Sequence, residues 1–333
     1  MPDIHDLMRY VVEHKASDLH VKAGSPPSIR VSGHLIKTES PPLTANDCEA
    51  AAVEMMSEDH VKELAKAGEV DFAFSEPGAG RFRVNIHSQR GSVAIAARRV
   101  LPNAMKFGDL GLPPAVETLA NEHRGMVLVT GPTSSGKTTT TGAMIGHIND
   151  TRACHILTIE DPIEILHNDS KAVVTQREIG QDTRDFAAAL RAAMRQDPDV
   201  IFVGEIRDHE TVSAALQAAE TGHMVIATLH TTDVTETINR IIDFFPPHQH
   251  KQARVALSGS LAGVVSQRLL PRAGGGRVAA IEVLVMNGRI RDLILNPEQT
   301  HMIHDIVAES AFYGMQTFDQ ALLSLYRSGL VEL

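Results

Sequence analysis

Cysteine is nearly absent from this chain: Cys48 and Cys154 are the only two among 333 residues, and they are far apart. Two thiols cannot build a four-cysteine zinc site, and their scarcity suits a reducing compartment rather than a disulfide scaffold. Aromatic residues are sparse as well, at 4%, and the formal net charge is −10. Both features argue against the broad basic, aromatic-bearing surface used by nucleic-acid motors, so no nucleic-acid partner is expected. No apolar run approaches the roughly 20 residues needed to span a bilayer. The opening, MPDIHDLMRY, lacks the basic-then-apolar order of a signal peptide. These absences leave a cytoplasmic globular protein with at most a peripheral hold on a membrane. Hydrophobic content of 43% and charged content of 22% fit that class, and the length gives room for two cores.

Residues 1–102 carry the pattern of a small α+β unit. DIHDLMRYVVEHK reads as a helix, and SDLHVKAG and PSIRVSGHLIK as short strands broken by Gly and Pro. Thr44 to Asp47 (TAND) matches a capping box and opens a helical stretch, CEAAAVEMMSEDHVKELAKAG. EVDFAFSEP, RFRVNIHSQRG and SVAIAARRV follow as strands, with PGAG turning between the first two. In RFRVNI, Phe82, Val84 and Ile86 alternate with Arg81, Arg83 and Asn85, so one face is apolar and the other carries two guanidiniums.

LPNAMKFGDLGLPP, punctuated by Pro and Gly, marks a linker over residues 103–120. Over 121–333 the rhythm becomes strand then helix. GMVLVT, HILTIED, DVIFVGE and HMVIATLH are nearly continuous apolar runs, as in a sheet covered on both faces. DFAAALRAAMRQ and ETVSAALQAAETG supply intervening helices, giving the α/β pattern of a parallel sheet. From about Arg289 the tail is helical, ending in TFDQALLSLYRSG.

GPTSSGKTTTTG stands directly after GMVLVT, and Gly131, Gly136, Lys137 and Thr138 satisfy G-x-x-x-x-G-K-[ST]. The loop from Gly131 through Pro132, Thr133, Ser134 and Ser135 to Gly136 would wrap phosphates with its inward backbone N–H groups. The following helix adds the positive end of its dipole. Lys137 would bridge the β- and γ-phosphates, and the Thr138 hydroxyl, with Thr139 beside it, would hold Mg²⁺. A Gly/Ser-rich surface turn is the alternative; the position between an apolar strand and a helix favours the phosphate cradle.

Such a sheet needs carboxylates near the cradle to organise Mg²⁺ and aim a water molecule. LTIEDPIE places Glu160, Asp161 and Glu164 after one strand, and DPDVIFVGE places Glu205 at the end of another. Ligands of open α/β sheets sit at these carboxyl ends. Glu205 is assigned to water and metal positioning, and Glu164 to general-base assistance. His230 closes HMVIATLH and would sense the γ-phosphate or a neighbouring carboxylate. His223 precedes that strand as a structural or inter-subunit contact, with a satisfied core histidine as the alternative for both. An arginine from another domain or subunit can add roughly 10³–10⁵ in rate; Arg83 and Arg98, on strands joined by the SQRG turn, are the candidates. Exposed arginines without a partner are the competing reading.

Together these segments resemble the PilT-type ATPases of type IV pilus systems, within the secretion-ATPase superfamily. The resemblance spans almost the whole chain. It rests on ASDLHVKAGSPPSIRVSGHL, GRFRVNIHSQRG, GPTSSGKTTT, the Asp box TIEDPIE, the Walker B segment RQDPDVIFVGEIRDHET and the His box TGHMVIATLHTTD. It implies a PAS-like N-terminal domain, a RecA-like P-loop ATPase core with a helical C-terminal region, and a homohexameric ring that binds ATP and Mg²⁺ between neighbouring domains. By motif position it implies Glu164 as the Asp-box carboxylate, Glu205 as the Walker B glutamate, and His223 and His230 as the His-box pair. Arg83 and Arg98 match arginines that approach the γ-phosphate, although Arg99, next door, leaves the second assignment open.

The implied work is pilus disassembly and retraction, hence twitching motility, at the cytoplasmic face of the inner membrane on a platform protein. Pilus assembly or type II-type secretion is the alternative, followed by a RecA-like nucleic-acid motor and a non-catalytic scaffold. Two departures matter. Ser134 stands where the family usually has glycine, and RIRDLILN stands where retraction ATPases typically carry AIRNLIRE, keeping Arg291, Leu293 and Ile294. The longer N-terminal regions and cysteine-rich insert typical of assembly ATPases are not found in this sequence.

Overall fold

A computed structural model describes residues 3–31, 33–102 and 104–332. Its residues fall into two compact units, 1–102 and 103–333.

The first unit runs α1 (Ile4–Glu13), β1 (Asp18–Lys22), β2 (Ser28–Val31), β3 (His34–Lys37), α2 (Ala45–Met55), α3 (Glu58–Ala67), β4 (Glu69–Glu76), β5 (Gly80–Gln89) and β6 (Ser92–Arg99). The strands form one antiparallel sheet in the order β3-β2-β1-β6-β5-β4. PSIRVSGHLIK forms a hairpin, β2–β3; Ser32 lies outside the described residues. Phe82, Val84 and Ile86 pack with Ile4, Met8, Cys48 and Ala51 in a single buried cluster, so the apolar stripe of RFRVNI is the core face. Thr44 does form the capping box with Asp47. The helical stretch after it is two helices, because Met56 turns extended and Ser57 accepts from the His60 N–H to start α3. Acidic Glu58 and Asp59 suit that new N-terminus.

The second unit contains α4 (Phe107–Leu110), α5 (Pro114–Ala120), β7 (Gly125–Thr130), α6 (Lys137–Thr151), β8 (His155–Glu160), β9 (Val173–Glu178), α7 (Phe186–Ala193), β10 (Val200–Val203), α8 (His209–Glu220) and β11 (Met224–Leu229). There follow α9 (Val234–Asp243), α10 (His250–Ser260), β12 (Leu261–Pro271), β13 (Arg277–Val285), α11 (Gly288–Leu295), α12 (Ile303–Glu309) and α13 (Phe318–Arg327). Seven strands lie in the order β13-β12-β7-β11-β10-β8-β9, parallel except for β13. Every residue of β7, β10 and β11 is buried, which explains their unbroken apolar composition.

Strands β9, β12 and β13 escape the sequence reading. VVTQRE is an edge strand of mixed polarity, and β12 follows α10 without a turn residue. The expected linker is also corrected. Asn103 lies outside the described residues, but α5 is no free connector: Val116, Leu119 and Ala120 are buried in the core beside β12 and β13. Among the described residues no helix is long and apolar enough to cross a membrane.

Two glycines mark how tightly this unit is packed. A Cβ on Gly263 would stand 2.6 Å from a Leu119 methyl and 2.7 Å from the Leu284 carbonyl. Gly263→Ala should destabilise the second unit by about 1–3 kcal/mol, read as a lowered denaturation midpoint. On α6, a Cβ at Gly142 would press only the tip of Ile165, at 2.6 Å, and alanine favours a helix by about 1 kcal/mol. Gly142→Ala should change stability little.

Candidate phosphate-binding site

The phosphate loop begins where β7 ends. Gly131 has φ 144°, Ser134 64° and Gly136 95°. A Cβ on Gly131 would lie 2.3 Å from the Gln267 carbonyl and 2.5 Å from the Ser135 hydroxyl, so only glycine fits. Pro132, Thr133 and Ser134 are exposed on the rim, and Ser135 is buried. Gly136 caps α6, Lys137 is its first residue, and Thr138 and Thr139 follow in the first turn, with Thr138 exposed. Ser134 does occupy a left-handed position, where a side chain costs roughly 1–2 kcal/mol. Ser134→Gly relieves that strain but gains about 0.4–1 kcal/mol of unfolded-chain entropy. Its thermal midpoint should therefore stay equal to, or slightly above, that of the wild type.

Parallel pairing sets Leu229 beside Thr130 and Val203 beside Ala227. The chain just beyond β11 therefore emerges between the ends of β7 and β10. His230 stands there. The Lys137 ammonium donates to the carbonyls of Gly131 (2.7 Å) and Pro132 (3.1 Å) and lies 3.5 Å from His230 Nδ1. His230 Nε2 is 3.2 Å from Glu205 Oε1. With an ammonium facing Nδ1, that nitrogen accepts, which assigns the ring proton to Nε2 and makes it the donor to Glu205.

Arg207 takes the other oxygen of Glu205 at 2.6 Å and reaches Asp161 at 3.9 Å. Burial pushes Glu205 upward, but Arg207 and His230 outweigh it and hold the carboxyl below its ordinary range. Burial lowers Lys137, and the carboxylates of Glu205 and Glu164 offset part of that effect. Glu164 is exposed between buried Ile163 and Ile165, so alternation along PIEI turns it outward. The Asp161–Pro162 bond before it is cis.

Two expected site residues make their contacts elsewhere. Glu160 is buried, and its Oε1 accepts from Thr158 (2.6 Å) and Gln176 (3.0 Å), so it braces the turn that carries Asp161 and Glu164. His223 precedes β11, at the opposite end of the sheet from the loop. Its Nδ1 meets the Ala218 carbonyl at 3.0 Å and the Thr221 hydroxyl at 3.3 Å.

In the first unit, Arg83 and Arg98 are direct cross-strand partners on β5 and β6, and both side chains are more than half exposed. Arg99 pairs with the buried Phe82 and so lies on the other face. Arg98 Nε donates to buried Asp18 at 2.8 Å, while Arg83 has only a 4.0 Å approach to Asp71.

Two participants escape sequence reasoning. Arg207 stands two residues beyond Glu205, a spacing that offered a weak signal. A run of buried hydroxyls, Thr231–Thr237–Thr130–Ser266 at 2.7, 3.4 and 2.8 Å, ties the chain after His230 to the strand before Gly131. Nothing in the linear sequence joins those four residues.

A glycine-bounded loop at a helix N-terminus, with lysine, histidine and carboxylates converging at parallel strand ends, defines a P-loop ATPase with a RecA-like core. Residues 1–275 match the family described as Type II/IV secretion system protein. The type IV pilus retraction ATPase PilT of Pseudomonas aeruginosa is 43% identical over 99% of this chain and 96% of its own length. A twitching motility protein of Neisseria gonorrhoeae is 44% identical over 92% of this chain and 82% of its own. The crystal structure of the pilus retraction motor PilT with bound ADP superposes with a TM-score of 0.92 at 48% identity, covering 100% of this chain and 95% of that one. The chain therefore belongs to the Type II/IV secretion system protein family, in its PilT-type branch.

Burial raises Glu160 from its ordinary 4.5 to about 7. A carboxyl raised on folding favours the folded state below its unfolded pKa, and that contribution is lost as pH climbs through about 7. The shift is worth on the order of 3 kcal/mol. Glu160→Gln should therefore gain thermal stability relative to wild type as pH rises from 4.5 to 7.5, with a flat difference below that window.

Proposed function

We propose that this chain is a Mg²⁺-dependent ATPase that works as a homohexamer to drive type IV pilus retraction. It would act from the cytoplasmic face of the inner membrane, on a platform protein. The observation that carries this reading is the contact chain Lys137–His230–Glu205–Arg207, built at the ends of three adjacent parallel strands. The loop fits a nucleotide because Gly131 and Gly136, where a side chain would run into β12 or Ser135, let the backbone wrap closely at the N-terminus of α6. Oxygen donors for Mg²⁺ are at hand in the exposed Thr138 hydroxyl and the Glu205 carboxylate. When bound, the ion would neutralise charge on the phosphate oxygens.

Lys137 leaves two loop carbonyls for the β- and γ-phosphates and so supplies a charge that burial has already stripped of part of its hydration. Glu205 orients the attacking water, and Glu164 takes its proton as the new oxygen–phosphorus bond forms and the β–γ bridge breaks. His230, touching both Lys137 and Glu205, reports phosphate occupancy to the Walker B carboxylate. Arg83 and Arg98 would come from a neighbouring subunit, so that hydrolysis alters how subunits are held and becomes movement.

Retraction is favoured over assembly by near full-length similarity to PilT-type relatives. The RIRDLILN segment departs from the retraction pattern at Leu295 and Asn296, which are exposed. In α11, Ile294 is buried, Leu293 packs on the core and Arg291 donates to the Ser258 carbonyl, so the retained positions are those that packing requires.

Lys137→Ala should abolish phosphate release, and cells carrying it should match a deletion strain, with surplus pili and no twitching. Bald cells would point to assembly instead, and DNA-stimulated hydrolysis with steep salt dependence to a nucleic-acid motor. Arg83→Ala and Arg98→Ala should each lower kcat by about 10³ or more while ADP affinity holds. Unchanged kcat in both variants would refute the shared-site mechanism.

A further inference from the structure

Gln267 lies on β12, in VSQRLL, and is 1% exposed. Its neighbour Ser266 turns toward Thr130, so strand alternation sends Gln267 to the opposite face, against the phosphate loop. There its amide Nε2 donates to the Ser135 carbonyl at 3.0 Å. A Cβ on Gly136 would stand 3.0 Å from that same nitrogen, and one on Gly131 would stand 2.3 Å from the Gln267 carbonyl. Leu269, two residues on, closes against Gly136. One residue therefore touches both glycines of the loop and is hydrogen-bonded between them.

A glutamine that merely fills space would be an expensive choice here, because burying an amide without partners costs more than burying a hydrocarbon of equal size. Among the described residues Gln267 Oε1 has no hydrogen-bond partner, and neither does the hydroxyl of Ser135. The single bond that compensates the side chain runs to the loop.

That bond has a directional consequence. In a planar trans peptide the C=O and N–H vectors oppose each other. Holding the Ser135 carbonyl down toward β12 aims the Gly136 N–H away from the sheet, into the concave side of the loop.

We propose that Gln267 is a positioning residue for nucleotide binding, one that orients the Ser135–Gly136 peptide so that its N–H meets a phosphate oxygen. The proposal rests on the reading that this loop holds a nucleotide. Its contribution falls on ground state and transition state alike, so it should change affinity rather than turnover.

The test uses purified full-length protein, titrated with a fluorescent ADP derivative, with ATP hydrolysis followed in parallel. Gln267→Met keeps the volume and loses the donor; Gln267→Asn keeps an amide that is one methylene too short. In each, the Kd for ADP and the KM for ATP should rise together by about 2- to 10-fold, with kcat within about twofold of wild type. Val264→Ala, fully buried on the same strand but facing the other way, supplies the comparison: a lowered Tm with unchanged ADP affinity. Wild-type ADP affinity in Gln267→Met sinks the proposal, as does equal weakening by Val264→Ala. Should the methionine variant fail to fold, the asparagine variant carries the same expectation and the same refutation. A wild type that binds ADP but releases no phosphate would overturn the motor reading and leave the Gln267 comparison valid.

Discussion

The parallel pairing of β11 between β7 and β10 is the constraint on which the site depends. In chain order β7 is followed by β8, β9 and β10, and β11 comes last of the five. In space β11 inserts next to β7. The sequence segments that carry the lysine and the glutamate are therefore separated by exactly one strand, and the residue at that strand's end, His230, touches both. The strands are buried on both faces, so a shift of β11 along its neighbours would break hydrogen bonds where no water can replace them. The contact chain at the strand ends inherits that rigidity.

Charge balance at those ends explains why the cluster is tolerated. Lys137 and Arg207 face Glu205, Asp161 and Glu164, and Glu205 spends both oxygens on cationic or donating partners. The groups lie at the sheet's rim, half-buried or exposed, where desolvation is partial. Glu160 is the exception. Buried, it has its carboxyl pushed up to about 7 and serves the turn beyond it.

The first unit solves a different problem, that of presenting guanidiniums on an open sheet face. Arg30, Asp18, Arg98 and Arg83 occupy one cross-strand row over β2, β1, β6 and β5. Asp18, buried at the centre, anchors Arg98 through Nε. Its carboxyl feels burial most, yet hydrogen bonds from Ser17 and Arg98 keep it below its ordinary range and therefore charged. Among the described residues Arg83 has no comparable anchor and is the freer of the two.

Much of this was legible in the linear chain. The cradle, the carboxylates and the arginine-bearing strand could be read because each is local: a loop between strand and helix, an acid at the end of an apolar run, a period of two. The break between α2 and α3, strands β9, β12 and β13 and the packed segment 104–120 were missed because their boundaries depend on partners rather than on local punctuation. His223 and His230 bracket β11 already in the sequence, and only the sheet order shows that His230 meets both Lys137 and Glu205. By itself, then, the amino-acid order determined the chemistry available and the elements that carry it, since propensity and periodicity act over a few neighbours. Tertiary structure alone decided which of those groups meet, because strand order, Gln267 beneath the loop and Arg207 across from Asp161 arise from contacts that the chain makes far from itself.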